Sequence, residues 1–571
     1  MYKGISKLIP IPKTTSDFKI IPAKTGYVYY QSGYSWDSEK RQPKYERKCI
    51  GKKDDDNETL MYPNKNYEKI FGLIDPEIGA LRNKLCSSEL QEAGKFDCRM
   101  SFGQYFAVVN ALKMVGAYEP LLRTYPRKFE MIIGLVVHAI DAQNTTSQTF
   151  PGWCFDHYCG MNRIVSDSEI SKVYSELGKD KGSVNVFFTL YAKSYGEKFP
   201  SKKRIVGFDS TNQNYSGKGI PMAMRGHPKL NVGLPDINTA MFVDEETGIP
   251  LWYEHFDGSV LDKTQTPYSM KKIIDLGYKK IFAMFDRGYY SEEDIAALDQ
   301  LKNIEYGVLC PDGTDWVDEL FRKHGSRIKD KQDCYIPEEN VYGKRYSVTL
   351  FEKQYFAYLF YDSDRAEEER KTIHEIMAFF WEEASKRVRY TEKMQEHYAK
   401  RGIIVTKADK DLETGKNFTL YENTEMIQEL LDRTGLFVML SPVRLAPSEA
   451  IRIIRNRDKA EKAFQFLMEH FHLRTTYRHS NNSYRGLMFM AFIADIALAS
   501  ISYFERQILH ASSAETIPRL LLELNKYKIE KSNDGSWRPG FAMNKDQKVI
   551  FSKLGVTEDD AHNCIETISI L

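Results

Sequence analysis

Apolar runs that end in an acid recur through the middle of this chain. Ile205, Val206, Gly207 and Phe208, with charge on one side and small polar residues on the other, predict a short buried strand that delivers Asp209 at its C-terminal end. Ile281 to Phe285 predicts a second strand that delivers Asp286 in the same way. Between them, the runs Ile237 to Val243 and Ile249 to Phe256 flank Asp244-Glu245-Glu246-Thr247-Gly248 and predict strand, turn, strand. Thr266-Pro267 marks a helix start, a cap followed by proline, and leads into YSMKKIIDLGY. Ser291, with Asp294 three residues on, opens a further helix, and IEYGVLC predicts a strand.

Three strands in a meander, a helix, a strand, a helix and another strand is the order of an RNase H-like α/β core with a mixed sheet. The pattern breaks from 312 to 434, where a hairpin, a long charged helix and short strands predict an inserted α+β domain. The core resumes over 435–510 with the strand LFVMLSP and a helix from about Ser448 to His470, capped near Ser448, whose residues Ile453, Ile454, Ala460, Phe464 and Leu467 would pack on the sheet. Ahead of the core (196–311), residues 1–100 predict a strand-rich basic module and 101–195 a helical one, whose short helices suit equally a face presented to a duplex and a plain helical bundle. Residues 511–571 predict a polar, turn-rich C-terminal appendage.

With 571 residues, more than one core is expected, and a net charge of +1 gives no electrostatic preference until the charges are placed. They cluster: EKRQPKYERKCIGKK near the start and Arg452 to Arg485 near the end are basic, and such faces either bind phosphate or are simply solvated. The eight cysteines are scattered and no leader pattern opens the chain, which points to the cytoplasm. Cys154, His157 and Cys159 lie close together, but their spacing fits no strong zinc pattern. The apolar run Gly486 to Phe504 has nearly the length of a membrane span. It contains Asp495 and stands alone, so a buried core helix is expected and no membrane partner.

Asp209, Asp286 and Glu461, delivered by three separate elements, would make a hard-oxygen site for divalent metal, as phosphodiester chemistry requires. Singly, each acid reads equally well as a turn former or one side of a surface ion pair. On the predicted 448–470 helix, Arg457 lies one turn before Glu461 and would grip a phosphate while the carboxylate keeps its charge. Trp316 and Trp381 would either stack on a flipped base or, more commonly for tryptophan, pack in a core.

The stretches FDSTN, RGHPKLNVGLPDINTAM, KKIFAMFDRGYYS and RNRDKAEKAFQFL resemble the DDE transposases of bacterial insertion sequences, in the insertion-sequence-four superfamily with its long insertion before the glutamate. The resemblance implies that Asp209, Asp286 and Glu461 are the catalytic triad. They would bind two Mg²⁺ ions, with Mn²⁺ as an alternative, for cut-and-paste transposition: cleavage at transposon ends, then strand transfer. It implies that Arg457 contacts phosphate and that His227, Lys229, Arg287, Lys462, Arg474 and Arg478 line the DNA, with Arg485 continuing the positive track. The implied partners are double-stranded DNA, as terminal inverted repeats and as target, and a second copy, giving a homodimer on DNA. The expected location is cytoplasmic, on the nucleoid when DNA is bound. Ile454 and Met468 stand where the family signature has tyrosine and lysine, which removes two polar DNA contacts and leaves the metal ligands intact. Two other functions fit the same residues: a catalytically silent DNA-binding descendant, or a metal nuclease that does not join strands.

Overall fold

The computed structural model describes residues 8–571 apart from 17, 38–41, 55–56, 72–98, 162, 227–232, 302, 330, 412, 458–460, 463–464, 507–515, 533–534 and 571. Two compact units result, Met1–Phe96 and Asp97–Leu571. In the first, β1 (Ile9–Pro10), β2 (Lys19–Pro22), β3 (Tyr27–Asp37), β4 (Gln42–Lys53) and β5 (Leu60–Pro63) form one antiparallel sheet in the order β1-β5-β4-β3-β2. Its small core is Val28, Ile50 and Met61, covered by Tyr67, Ile70 and Phe71 of α1 (Lys65–Phe71). The predicted basic hairpin corresponds to β3 and β4, where the exposed Arg47 lies 4.4 Å over the Tyr29 ring.

The second unit opens with β6 (Arg99–Ser101) and the helices α2 (Gly103–Met114), α3 (Phe129–Ala142), α4 (Asp167–Lys179) and α5 (Lys181–Lys198). α2 and α3 are buried almost all round because they surround the long helix Asn481–Arg506. That helix is apolar and long enough to cross a membrane, but 78% of its most apolar window is buried inside the protein. Its Asp495 is held in apolar surroundings, where burial pushes the carboxyl well above the usual range and so favours the neutral acid. The C-terminal residues share this core: Lys528–Lys531 pairs with β6, and Gln104 Nε2 donates to Leu521 O at 3.0 Å.

A mixed sheet follows, made of β7 (Arg204–Tyr215), β8 (Asp236–Asp244), β9 (Pro250–Asp257), β10 (Ile281–Phe285), β11 (Ile304–Leu309), β12 (Tyr335–Ile336), β13 (Val341–Leu350), β14 (Lys353–Tyr361) and β17 (Leu436–Ser441). The order is β12-β13-β14-β17-β11-β10-β7-β8-β9, with β10 parallel to β7 and β11 and the other pairs antiparallel. Its edges and faces are covered by α6 (Asp262–Asp275), α7 (Glu292–Asp299) and α8 (Asp315–Ile328) among others. Ser291 caps α7 as its sequence predicts, accepting from Asp294 N at 3.1 Å. α6 starts a turn before the expected Thr266-Pro267 and carries Pro267 inside it. Pro267 is the sixth residue of α6, past the four positions whose N–H groups lack a helical partner, so its ring costs the helix one backbone hydrogen bond.

Of the stretch 312–434, the hairpin β13–β14 adds directly to the central sheet through nine pairs with each other and six between β14 and β17. Of the rest, α8 lies on the central sheet, and the segment 363–422 includes a small core of its own. α9 (Ser363–Ser385) leads to α10 (Glu392–Ala399) and the two-stranded sheet of β15 (Ile403–Lys407) and β16 (Phe418–Glu422), which share a core of Ala384, Met394, Tyr398, Ile403, Val405 and Phe418. α11 (Thr424–Arg433) returns the chain to β17.

Candidate active site

β7 is longer than its apolar run. The strand continues through Ser210, Asn212, Gln213 and Asn214, all buried, so Asp209 lies at its middle and not, as expected, at its end. What ends there is the neighbour. The β7–β10 ladder runs from Arg204↔Ile281 to Gly207↔Met284, and two residues further along the same register Asp286 comes level with Asp209. Adjacent strands lie about 4.8 Å apart, so Asp209 and Asp286 fall on neighbouring chain segments where β10 ends. Beyond, β18 (Thr475–Thr476) takes the vacated edge and pairs with Asn214 and Tyr215. A crevice at the end of a parallel strand is where open α/β sheets place their ligands.

Each aspartate is oriented locally. Asp209 Oδ1 accepts from Ser210 N at 2.8 Å, and Asp286 Oδ1 accepts from Arg287 N at 2.7 Å as the cap of the 3₁₀ turn Arg287–Tyr289. A bond between the turn and the strand ties the pair together: Ser210 Oγ and Tyr289 OH are 3.0 Å apart, both residues are buried, and the Tyr289 ring packs on Phe208 and Phe285.

The third element differs from its expected form. α12 (Pro447–Asn456) starts at Pro447 with Ala446 as its cap and stops at Arg457, in place of one helix from Ser448 to His470. Glu461 and Lys462, both exposed, have helical backbone, and a π-turn spans Phe466–His470. Ending at 457 turns Arg457 back to the sheet, where its Nη1 meets Asp286 Oδ1 at 3.0 Å. The chain then returns to β7 through a buried clamp, with Gln213 Nε2 donating to Leu473 O at 2.6 Å while Tyr484 OH donates to Gln213 Oε1. Thus Asp286 and Arg457 are in contact beside the strand that carries Asp209, and Glu461 comes four residues after Arg457 in sequence.

Three of the other basic residues expected on DNA have protein partners. Arg287 Nη1 bonds Asp312 Oδ2 at 3.1 Å, Arg474 pairs with Glu469, and Arg478 lies 5.0 Å over the Tyr174 ring. His227 and Lys229 lie outside the described residues. Trp316 Nε1 donates to Tyr290 OH at 2.6 Å, beside the Asp286 turn, whereas Trp381 packs against the small core of β15 and β16. His157 is held by Asp141 at 3.3 Å and stacked on Trp153, so it does not complete a zinc site with Cys154 and Cys159.

Among the described residues, no group of three or more His, Cys, Asp or Glu stands gathered to hold a metal ion. The donors at the crevice nonetheless suit a hard divalent cation in type: two neighbouring, partly exposed carboxylates on rigid backbone, with a third on the exposed segment that follows Arg457. Sequence reasoning missed Ser210, Gln213 and Tyr289. Tyr289 lies within the quoted DRGYY stretch, which was a signal for it. Gln213 belongs to a polar run that reads as loop, and only its burial shows its role.

The chain matches the family profile described as "Transposase DDE domain" over residues 200–494. Among solved structures it is similar to a chain of the piggyBac transposase synaptic complex with hairpin DNA, determined by cryo-electron microscopy. That likeness has 8% identity and a TM-score of 0.34, and covers 71% of this chain and 70% of that one. No curated protein matches the sequence. The profile takes in Asp209, Asp286, Arg457 and Glu461 and spans more than half of the 571 residues, and on that ground the protein belongs to the family of transposases with a DDE domain.

Proposed function

We propose that this protein binds the ends of a bacterial insertion sequence of the insertion-sequence-four type and cuts and rejoins DNA by in-line phosphoryl transfer at Asp209, Asp286 and Glu461. The observation that carries the reading is the meeting of Asp209 and Asp286 at the mouth of two parallel strands, with Arg457 on the second. The strand order β9-β8-β7-β10-β11, with helices between the later strands, supports an RNase H-like core.

The three carboxylates would hold two Mg²⁺ ions, or Mn²⁺, whose part is to lower the pKa of the attacking water or 3′-hydroxyl and neutralise the leaving oxygen. The protein's own contribution is placement. Asp209 sits within β7 and Asp286 directly after β10, and the contact of Tyr289 with Ser210 fixes the turn that carries Asp286. Arg457 can exchange the carboxylate of Asp286 for a DNA phosphate, a bidentate partner of equal charge. Lys462 and, after release from their present partners, Arg287, Arg474 and Arg478 would follow the backbone on either side, together with His227 and Lys229. We place the DNA-contacting modules in residues 1–100 and 101–195, the protein in the cytoplasm, and the working form on DNA as a homodimer.

The test is cleavage and joining on DNA carrying the ends that flank this gene. With Mg²⁺ the protein is expected to release 3′ ends and form joined products, and chelation should abolish both while binding persists. Cleavage without joining would overturn the transposase reading in favour of a nuclease. Tight binding without cleavage in any divalent metal would reduce the protein to a silent DNA-binding descendant.

Tyr289 supplies a finer check. Tyr289→Phe keeps the ring among Phe208 and Phe285 but loses the bond to Ser210, so the turn carrying Asp286 gains freedom. Loss of sub-ångström placement typically costs about 10–10² in rate. The single-turnover cleavage rate at saturating DNA should fall by that factor with DNA affinity unchanged, and Ser210→Ala should add little to it. An unaltered rate would remove Tyr289 from the positioning role.

A further inference from the structure

The far end of β7 carries a second group of oxygen ligands. Asn214 stands opposite Asp236 in the β7–β8 ladder, so both side chains leave the sheet on one face, with Cβ atoms about 5 Å apart. Asn238, two residues along β8, lies on that face too. Asp209 comes five residues before Asn214, an odd number and about 17 Å of strand, which puts it on the opposite face and well away. The three polar residues are closed off from solvent: Asp236 is 1% exposed, Asn238 6% and Asn214 7%.

Donors reach only one of the three. Asn238 spends its own Nδ2 on the backbone carbonyls of Asp257, Gly258 and Val260, at 3.3, 3.5 and 2.9 Å, which gathers three carbonyl oxygens beside the start of β8. Asn214 Oδ1 and both carboxylate oxygens of Asp236 have no hydrogen-bond partner among the described residues. Nor can Asp236 swing out to water. Its backbone is bridged to Met224 by bonds of 2.9 and 3.0 Å, and Gly258 packs against the carbonyls of both with no room for a side chain. Burial, unopposed by any cationic side chain among the described residues, pushes the Asp236 carboxyl above the usual carboxylate range. Such a group must take up a proton or meet a cation. A water molecule would supply donors but no charge. A carboxylate and an amide oxygen side by side on rigid strands, with carbonyls at hand, are the ligand types of Ca²⁺, which accepts neutral oxygens in irregular geometry. Mg²⁺ demands an octahedral set and keeps several waters, for which a place this closed is poorly suited. We infer that Asp236 and Asn214 form a structural calcium site that ties the end of β7 to the start of β8, separate from the catalytic carboxylates. The inference does not depend on DNA chemistry, and failure of the cleavage assay would leave it standing.

The experiment is equilibrium dialysis of the full chain against calcium chloride in roughly 0.1 M KCl, which screens weak surface binding. It uses the Asp209→Asn, Asp286→Asn double variant, so that two of the three catalytic carboxylates no longer contribute. That protein should retain a calcium ion per chain. Adding Asp236→Asn should weaken binding at least ~tenfold, and Asn214→Leu, which keeps the carboxylate, should weaken it less. Calcium should also raise the melting temperature of the double variant, and the rise should vanish once Asp236→Asn is added. Without calcium, Asp236→Asn should melt no lower than its parent, because a buried charge has gone. Should Asp236→Asn fail to fold, Asn214→Leu carries the comparison by itself. Absence of retained calcium, or retention indifferent to the substitutions, would overturn the assignment. A carboxyl kept neutral by a proton would show itself as no calcium retained and a stability that declines as pH rises from about 5 to 8, and would overturn it equally.

Discussion

Asp286→Asn is expected to lower the single-turnover rate of DNA cleavage by about three orders of magnitude, roughly 4 kcal/mol of transition-state stabilisation, with little loss of stability or DNA affinity. Asparagine is nearly isosteric. It can still accept from Arg287 N, as Asp286 Oδ1 now does at 2.7 Å, so the 3₁₀ turn and the packing of Tyr289 survive. What is lost is charge. A neutral amide is a poor ligand for a hard divalent cation, and the partnership with Arg457 also disappears. Since the Asp286 and Arg457 side chains are 49% and 25% exposed, that ion pair contributes little to folding, and the melting temperature should move by no more than a few degrees. Asp209→Asn should behave alike, because it occupies the same level on the adjacent strand. A cleavage rate within tenfold of wild type in either variant would remove the aspartates from the chemistry. A large fall in melting temperature would mean that they were structural.

The parts of this fold that could be read in advance are those whose cause is local. The strand, turn, strand of β8 and β9 announced itself through two apolar runs flanking an acidic, glycine-ended turn, and the start of α7 through the side chain of Ser291. The second half of β7 could not be read so, because a run such as Ser-Thr-Asn-Gln-Asn is polar. It becomes buried strand only when β8 pairs on one side and β18, more than two hundred residues later, pairs on the other. The hairpin β13–β14 was correctly seen as a hairpin, but nothing within it signals that β17 will accept it as a sheet neighbour. The site divides in the same way. An acid after each apolar run was visible, and so was the arginine one turn before the glutamate. That α12 would stop at Arg457 and turn its guanidinium onto Asp286 was not, since the helical periodicity of the sequence continues past that point.

Asp244→Ala is expected to cost about 3–5 kcal/mol, the largest stability loss of any single substitution considered, and the reason lies in its partner. Asp244 ends β8 and Arg204 begins β7, and their side chains meet at 2% and 9% exposure. The carboxylate also accepts from Tyr195 OH at 3.0 Å and from Glu246 N at 2.9 Å, the latter closing the turn into β9. Removing it strands a guanidinium in the interior and opens the turn together. Arg204 then keeps its bond to Phe199 O and its stacking over Tyr195 at 4.8 Å, and neither carries a charge to offset it. Asp244→Asn should cost less, because the amide oxygen can still close the turn. Replacing both partners, Arg204→Met with Asp244→Asn, should recover part of the loss, since it removes the buried cation while keeping the turn closed. Urea or thermal unfolding of the three variants decides the matter. A loss below about 1 kcal/mol for Asp244→Ala would mean that water reaches this pair and that the base of β7 is less closed than its burial indicates.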